Sequence, residues 1–333
     1  MNGKPILITG ATGAVGPLVV RALYDAGYSI RTFSIDAQPP GMWPDDVDSQ
    51  VGDITDLSAV SQAMMGIDIV IHMAALLHNV NPSPAMREKY EKINVNGTKI
   101  VVSAAQDAGV RSIILFSTIA VYGPSNGAVL KETSPVHPDT YYAQSKLAAE
   151  KIVLSAKDKN GNPVGTVLRF GAIYGSRIKG NYERLTHALL RNRFIPVGNG
   201  MNRRTLIYDK DVGYAVSRVL SSKDVAGRLY NVTDGRFYTM NEIINAICLA
   251  LGRKPPKFSL PATPMRIAAG MLERTAAFFG FKMPISGEII DKYVEDTAVD
   301  GSLFQIEVGF APQFDLQAGW VDAVGEMRRN SRL

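Results

Sequence analysis

The chain has 333 residues, 46% of them hydrophobic and 20% charged, a balance that excludes an intrinsically disordered protein. The net charge of +5 is modest and spread along the chain, which argues against nucleic acid as a partner. The single cysteine, Cys248, excludes an internal disulfide framework, and no apolar run is long enough to span a membrane, so we expect a soluble, cytoplasmic protein with Cys248 in its core.

Strand and helix patterns alternate along the first half of the chain. Strands are predicted near 4–9, 29–35, 67–72, 111–117 and 164–169, and helices near 14–26, 56–65, 86–109 and 139–158. This alternation predicts a Rossmann-type, doubly wound parallel α/β sheet over residues 1–170, with segments near 204–232 expected to return to it. Residues 171–333 are expected to form a smaller, mostly helical lobe, with helices near 183–192, 239–252, 263–280 and 315–330.

One predicted helix of the second half is unusually apolar. The segment from Thr263 to Phe281 is interrupted by only three charged residues, Arg266, Glu273 and Arg274. We interpret it as a packed helix, and a position on a membrane surface is the alternative.

Three glycines, Gly10, Gly13 and Gly16, fall in the turn between the first predicted strand and the first predicted helix. Glycine lets the backbone approach a pyrophosphate closely, and a helix N-terminus offers unpaired N–H groups and the positive end of a dipole. The turn therefore predicts a dinucleotide site, and a glycine-rich turn without a ligand is the alternative.

A second motif adds chemistry. Tyr142 and Lys146 are four residues apart in a predicted helix and so share one face. A nearby ammonium favours the phenolate, so we expect the pKa of Tyr142 to fall below its usual value of about 10. Thr118, at the end of a predicted strand, adds a hydroxyl that can bind the reacting oxygen.

With these residues in place, the chain resembles the extended short-chain dehydrogenase/reductase family, of the sugar-nucleotide epimerase and dehydratase type that includes UDP-glucose 4-epimerase. The resemblance covers roughly the first 235 residues, and VGFAP near the C-terminus matches more loosely. The matching stretches, in family order, are TGATGAVG, GDITD, HMAA, NVNGT, FSTIAVYG, YAQSK, LRFGAIYG and RRTLIYDKDV.

The resemblance implies a nicotinamide cofactor bound by the first domain and a substrate bound by the second lobe. Tyr142 and Lys146 are expected to contact the cofactor as well as to act in catalysis, and we assign no metal ligand. The other residues implied to contact the cofactor are Gly10, Thr12, Gly13, Ala14, Val15, Gly16, Asp36, Asp53, Ile54, Ala74 and Ala75.

The choice between NAD and NADP depends on the end of the second strand. The family's usual ribose-binding acid is replaced by Ser34, and the nearest acid, Asp36, lies two residues later. No Arg or Lys follows the strand, and Arg31 lies inside it, so we favour NAD, with NADP as the alternative. Asp53 resembles the family's adenine-contacting acid and is alternatively a helix cap. His72 is expected to be a core residue.

The resemblance also implies the catalytic roles. Tyr142 would move the hydroxyl proton during hydride transfer between a sugar carbon and the nicotinamide, and Lys146 would lower the tyrosine pKa and hold the ribose. Thr118 would bind the sugar oxygen, and Asn94 would orient the active-site helix. Two further residues are implied to contact the substrate diphosphate, Asn181 and Arg204, the latter as a clamp.

The two residues after Thr118 narrow the reaction class. Family 4,6-dehydratases carry an Asp-Glu pair there, whereas this chain has Ile119 and Ala120. We therefore predict an NAD-dependent nucleotide-sugar 4-epimerase. A net 4-reductase or dehydrogenase, a 3-beta-hydroxysteroid-type dehydrogenase and a catalytically silent NAD-sensing scaffold are the alternatives.

The family commonly dimerises through the helix that carries the Tyr-Lys pair. The apolar face of residues 143–154 permits this, so we expect a homodimer, although the same face suits core packing.

Overall fold

The computed structural model describes residues 5–77, 84–278 and 287–333. The described residues form ten strands in two sheets. The strands are β1 (Ile6–Thr9), β2 (Ile30–Ser34), β3 (Asp48–Val51), β4 (Ile69–His72), β5 (Ser112–Thr118), β6 (Gly165–Phe170), β7 (Ala172–Tyr174), β8 (Arg203–Tyr208), β9 (Leu229–Val232) and β10 (Phe237–Thr239).

Twelve α-helices are described together with the strands, and one of them, α5, carries the Tyr-Lys pair. The helices are α1 (Gly16–Asp25), α2 (Leu57–Met64), α3 (Pro84–Tyr90), α4 (Gly97–Asp107), α5 (Tyr141–Leu154), α6 (Asn181–Leu190), α7 (Asp209–Ser221), α8 (Met240–Leu251), α9 (Ala262–Phe278), α10 (Gly287–Val294), α11 (Ser302–Val308) and α12 (Leu316–Arg329).

The larger sheet is parallel, has seven strands and runs β3-β2-β1-β4-β5-β6-β9. Side chains alternate across it, so that Ile6 and Ile8 of β1 enter one core beneath α1 and α7, while Leu7 enters the other beneath α2, α4 and α5. Both faces are covered, as expected for a parallel sheet. The predicted Rossmann-type α/β fold is confirmed.

The second half is mostly helical, as predicted, and it also contains a small sheet. β10, β8 and β7 form a small sheet of their own, which packs with α6, α8 and α12 around Trp320. Of the segments expected to return to the first domain, β9 joins the large sheet and α7 packs on α1, whereas β8 lies in the small sheet. The predicted helix near 239–252 is α8, with a Thr239–Glu242 capping box and Cys248 buried.

Two features of local structure were not predicted. β3 was missed because its sequence, DSQV, is polar. The strand lies at the edge of the sheet and is mostly exposed, so its sequence shows no alternation of apolar and polar residues. The single helix predicted near 86–109 is divided into α3, a π-helical turn at Glu91–Asn96 and α4, and hydrophobic periodicity does not reveal such an insertion.

The apolar helix predicted near 263–280 is α9, and it packs against α10. Its predicted last two residues and Phe281 lie outside the described residues. Among the side chains described, Ala269 is buried and Ile267 is exposed.

Candidate active site

The glycine turn between β1 and α1 brings backbone segments unusually close together. Gly10 has φ +72°, and a Cβ there would lie 2.6 Å from the Cα of Ala74. A Cβ on Gly16 would lie 2.0 Å from the carbonyl oxygen of Ala11. α1 begins here with Val15 as its N-cap and no side-chain capping bond among the described residues. The turn therefore fits the close approach of a cofactor pyrophosphate, because only glycine leaves room for it at these positions.

The remaining turn residues are fixed by main-chain bonds. The N–H of Gly13 donates to the Gly10 carbonyl at 3.0 Å. Arg177 Nε donates to the carbonyl of Ala14 at 3.4 Å, which places an exposed cation beside the turn. Arg177 was missed from the sequence, because it follows β7, far along the chain.

The end of β2 is where cofactor selectivity was expected. Ser34, at the family's acidic position, is buried, and its Oγ accepts from the N–H of Thr12 at 3.3 Å. Asp36 is exposed. Arg31 pairs with Asp48 at 2.5 Å, so its charge is already compensated and does not offer a free site for a 2′-phosphate.

Asp53 and Ile54 follow β3, where the adenosine end of the cofactor was expected. Asp53 Oδ1 accepts from the N–H of Thr55 at 2.8 Å. The N-cap of α2 is Asp56, so the alternative interpretation of Asp53 as that cap was wrong. The side chain of Ile54 is buried against Gly97. Contacts of Asp53 and Ile54 with a cofactor stay predictions.

His72 is fully buried on β4, as predicted for a core residue. Its Nδ1 lies 2.7 Å from Oγ1 of Thr9, and its Nε2 lies 3.0 Å from Oγ1 of Thr98. Burial, with a smaller contribution from the Lys146 charge, lowers the pKa of His72 to about 3. The imidazole is therefore neutral and joins β1, β4 and α4 through hydroxyl groups.

Asn94 lies in the π-helical turn and connects the loop after β4 to the Tyr-Lys helix. Its Oδ1 accepts from the N–H of Leu76 at 2.7 Å, and its Nδ2 donates to Oγ of Ser145 on α5 at 2.9 Å. Ala74 and Ala75 precede Leu76 in the same loop, and the N–H of Ala74 donates to Oγ1 of Thr9 at 3.3 Å. The bonds of Asn94 are those that an orienting role requires, and the role itself stays a prediction.

Tyr142 lies in the first turn of α5. Thr140 caps this helix by accepting from the N–H of Ala143 at 3.1 Å. The Tyr142 ring lies 6.2 Å from that of Tyr90. Burial, with a smaller contribution from Tyr90, raises the pKa of Tyr142 to about 12. The expectation of a lowered pKa was wrong, since desolvation outweighs the attraction of a nearby ammonium. The phenol holds its proton at neutral pH.

Lys146 is also buried, and burial lowers its pKa to about 8, while the Glu150 carboxylate opposes that shift. Glu150 lies one turn further along α5. It forms a buried ion pair with Arg169 at 2.6 Å and accepts from Oγ of Ser117 at 2.5 Å. This ion pair was missed from the sequence, although an arginine inside a predicted buried strand was a signal for it. Glu150 keeps Lys146 largely cationic near neutral pH.

A cavity of about 670 Å³ opens beside α5. It is lined by Thr118 at the end of β5, by Asn181 at the start of α6 and by Arg204 on β8. Thr140, two residues before Tyr142, lines the same cavity. The structure therefore brings three of the four predicted substrate residues, Thr118, Asn181 and Arg204, from separate elements to one space. The fourth, Tyr142, is not among the residues that line this cavity, which reaches Thr140 at the start of the Tyr-Lys helix.

Arg204 was expected to bind the substrate diphosphate, but part of its guanidinium is already hydrogen-bonded within the protein. Its Nη2 donates to the carbonyl oxygens of Lys292 at 2.6 Å and Tyr293 at 2.9 Å, at the end of α10. The guanidinium therefore also holds the wall of the cavity in place. Asn181 Oδ1 accepts from Nη2 of Arg184 at 3.3 Å.

Two cations in the cavity lining, Arg184 and Lys292, were missed from the sequence. Arg184 is one turn from Asn181 on α6. Lys292 pairs with Asp139 at 2.5 Å and with Glu295 at 3.3 Å. Arg184 was within reach of a helical-periodicity argument, whereas Lys292 comes from a distant segment with no motif.

The positions that carry the acid and base in dehydratases are apolar. Ile119 and Ala120 begin a 3₁₀ turn after Thr118, and Ile119 is buried. The two carboxylates that line the cavity, Asp139 and Glu295, both pair with Lys292.

Comparison with known proteins gives one family match and several similar enzymes. The model of the NAD dependent epimerase/dehydratase family matches residues 6–233. An N-acetyl-alpha-D-glucosaminyl-diphospho-ditrans,octacis-undecaprenol 4-epimerase of Escherichia coli O157:H7 is 28% identical over 96% of this chain and 93% of its own. A 3 beta-hydroxysteroid dehydrogenase/Delta 5-->4-isomerase of Mycobacterium tuberculosis (strain ATCC 25618 / H37Rv) is 26% identical, covering 94% of this chain and 87% of its own.

Among solved structures, MoeE5 in complex with UDP-glucose and NAD superposes with a TM-score of 0.78 at 25% identity, covering 98% of this chain and 99% of that one. No helix in the described part of the chain is long and apolar enough to cross a membrane.

Proposed function

Because the chain belongs to the NAD dependent epimerase/dehydratase family and is an NAD-dependent enzyme, we propose that it epimerises nucleotide-linked sugars at C4 through a 4-keto sugar intermediate. The observation that carries this proposal is the cavity lined by Thr118, Asn181 and Arg204 beside the Tyr-Lys helix, with Ile119 and Ala120 where a dehydratase places its acid and base. An epimerase needs one proton-transfer group at O4 and room for the sugar to present both faces of C4.

Bound NAD supplies the reversible acceptance of a hydride, and the glycine turn is the part of the chain that would hold its pyrophosphate. Tyr142 carries the proton at O4. Because burial raises the pKa of Tyr142 to about 12, the reaction requires the minor phenolate form of this residue. That phenolate takes the O4 proton in the oxidation half-reaction, and the resulting phenol returns the proton to the keto oxygen in the reduction half-reaction. Lys146 stabilises the phenolate form by its charge, and Thr118 Oγ1 hydrogen-bonds the same sugar oxygen.

The diphosphate of the substrate is assigned to the cationic side of the cavity. Arg204, Arg184 and Lys292 are the cations of its lining, and Asn181 adds an amide. A guanidinium binds a phosphate through two parallel N–H bonds, so Arg204 and Arg184 are suited to fix the diphosphate while the sugar turns.

We further propose that the enzyme is a homodimer formed through α5. Leu147, Ala148, Ile152 and Leu154 are only partly buried in the single chain, so they keep exposed apolar surface for a partner, although Leu147, Ile152 and Leu154 also pack against the core. A cytoplasmic setting is proposed with it, because a chain with one cysteine forms no internal disulfide.

The test is a turnover screen of the purified protein against UDP-, dTDP- and GDP-sugars and diphospholipid-linked N-acetylglucosamine, with NAD(H) or NADP(H), read by NMR and mass spectrometry. Interconversion of C4 epimers without net cofactor change supports the proposal. Stoichiometric cofactor reduction or oxidation would instead indicate a dehydrogenase or reductase. If the protein turns over a 3-beta-hydroxysteroid and none of the sugars, its substrate is a steroid and the proposal is wrong.

A further inference from the structure

Two segments, residues 191–201 and 253–267, lie side by side at the surface of the second lobe, and the second segment includes the first residues of α9. The N–H of Leu260 donates to the carbonyl of Pro196 at 2.9 Å, and the N–H of Gly198 donates to the carbonyl of Leu260 at 2.8 Å. A shallow hollow of about 470 Å³ lies between the segments and is closed on one side by Val294 of α10. We call these two segments the basic loop surface.

The charge of the basic loop surface has one sign only. Neither segment contains an Asp or a Glu. Arg266 pairs with Asp291 at 3.2 Å, and among the described residues no other cation of this surface takes part in an ion pair. The six cations, all exposed, are Arg191, Arg193, Arg253, Lys254, Lys257 and Arg266.

Large apolar side chains are exposed on the same two segments as these cations. Phe258 is 83% exposed, next to Lys257. An isolated exposed side chain of this kind is ordinary, but several of them on two adjoining segments that carry only cations are not. The others on the same two segments are Ile195, Met201, Leu260 and Ile267.

The basic loop surface adjoins the cavity of the candidate active site. Phe194 lines that cavity and precedes Ile195, and its ring lies 6.1 Å from that of Tyr293. Tyr293 is in turn held by Arg204. Whatever binds this surface therefore lies next to the cavity wall.

We propose that the basic loop surface docks the protein on an anionic lipid bilayer. Cations attract the negative headgroups, while Phe258, Ile195 and their apolar neighbours enter the boundary between headgroups and acyl chains. A second copy of this chain is a poor occupant, because six cations would face six cations. The proposal does not depend on which sugar is the substrate.

The test is co-sedimentation of the full-length protein with vesicles of phosphatidylcholine alone or with 40 mol% phosphatidylglycerol. We expect binding to the anionic vesicles that is about tenfold tighter or more than binding to the neutral ones, and that weakens as salt is raised. Lys254→Gln/Lys257→Gln is expected to weaken binding by about tenfold or more, since each cation near the surface contributes separately. Phe258→Ser is expected to weaken it several-fold.

Matched controls remove the same groups elsewhere. Lys159→Gln/Lys223→Gln removes two exposed lysines, and Ile306→Ser removes an apolar side chain that is 79% exposed. Both controls are expected to bind as the wild type does, and melting curves verify that every variant folds. Equal loss in controls and surface variants, or no preference of the wild type for anionic vesicles, would overturn the proposal. So would a dimer in solution that Phe258→Ser dissociates, or an acidic protein that binds this surface while vesicles do not.

Discussion

The cofactor side and the substrate side of the candidate site are built in opposite ways. The glycine turn is a short continuous stretch, and its shape requires backbone segments to lie too close together for a side chain. A Cβ on Gly16, for example, would lie 2.0 Å from the carbonyl oxygen of Ala11. The cavity is assembled from β5, α6, β8 and α10. Its charged side chains already form bonds within the protein, such as that from Arg204 to the carbonyl of Lys292, in addition to being placed to bind a ligand. The first side is therefore sensitive to backbone substitutions and the second to the loss of single charges.

The Tyr-Lys helix joins the two sides, and the largest effect is expected there. Tyr142→Phe removes the hydroxyl that carries the proton, so we expect turnover to fall by about 10²–10⁴-fold while NAD affinity stays within about twofold. The measurement combines a product assay with NAD titration calorimetry. Tyr141→Phe is the control, because it makes the same change one residue away. Unchanged turnover of Tyr142→Phe would remove Tyr142 from the mechanism.

The backbone character of the cofactor side is tested by Gly10→Ala against Gly41→Ala. Both glycines have φ +72°, but a Cβ on Gly10 meets Ala74 at 2.6 Å, whereas nothing lies within 4 Å of one on Gly41. Gly41→Ala should lower the free energy of unfolding by about 1 kcal/mol, because alanine is strained in the left-handed conformation but meets no neighbouring atom there. Gly10→Ala should cost more and weaken NAD binding by about tenfold or more. Equal effects in denaturant melts and NAD titrations would contradict the close-approach argument.

The charge character of the substrate side is tested by Arg204→Met. Hydrogen bonds to charged groups are worth about 1.5–3 kcal/mol, so we expect the KM for the sugar diphosphate to rise by about 10–100-fold, with NAD affinity unchanged. Arg236→Met removes an exposed arginine on the same lobe and is the control. A fall in kcat alone, with KM unchanged, would mean that Arg204 shapes the cavity wall without binding the diphosphate.

A further effect concerns the pH dependence of turnover. Because burial lowers the pKa of Lys146 to about 8, the ammonium is lost above that pH, and we expect kcat/KM to fall there. Glu150 raises this pKa, so Glu150→Gln should move the basic limb to lower pH by about 0.5–1 unit. Gln retains an acceptor for Ser117. If the basic limb of the pH profile does not move in a Glu150→Gln variant that melts cooperatively, Glu150 does not influence the pKa of Lys146.

The same buried lysine affects stability with a defined sign. Between pH 8 and the ordinary lysine value of about 10.4 the unfolded chain binds more protons than the folded one, so the Lys146 contribution to stability rises with pH. Lys146→Met should therefore raise the free energy of unfolding at pH 7 by about 3 kcal/mol while abolishing turnover. Denaturant melts at pH 7 check this, and a destabilised variant would contradict it.

The two sides also differ in how far the sequence predicted them. The large sheet, the glycine turn and the placement of Tyr142 and Lys146 on one helix follow from periodicity and spacing, which are local properties. Side-chain pairing across the fold is not local. Neither the Glu150–Arg169 pair behind Lys146 nor the Lys292 pairs could be inferred from spacing, and the pKa of Tyr142 was predicted in the wrong direction because burial could not be estimated from the helix alone.

In the proposed reaction, a hydride leaves C4 of the sugar and returns to the same carbon within one cavity. This route is tested by incubating the holoenzyme with a nucleotide sugar deuterated at C4 and following both epimers by NMR. We expect conversion to the C4 epimer with the deuterium retained at C4 and no accumulation of reduced cofactor. Loss of the deuterium to solvent, or to a released cofactor in step with an oxidised sugar, would contradict the proposed epimerisation.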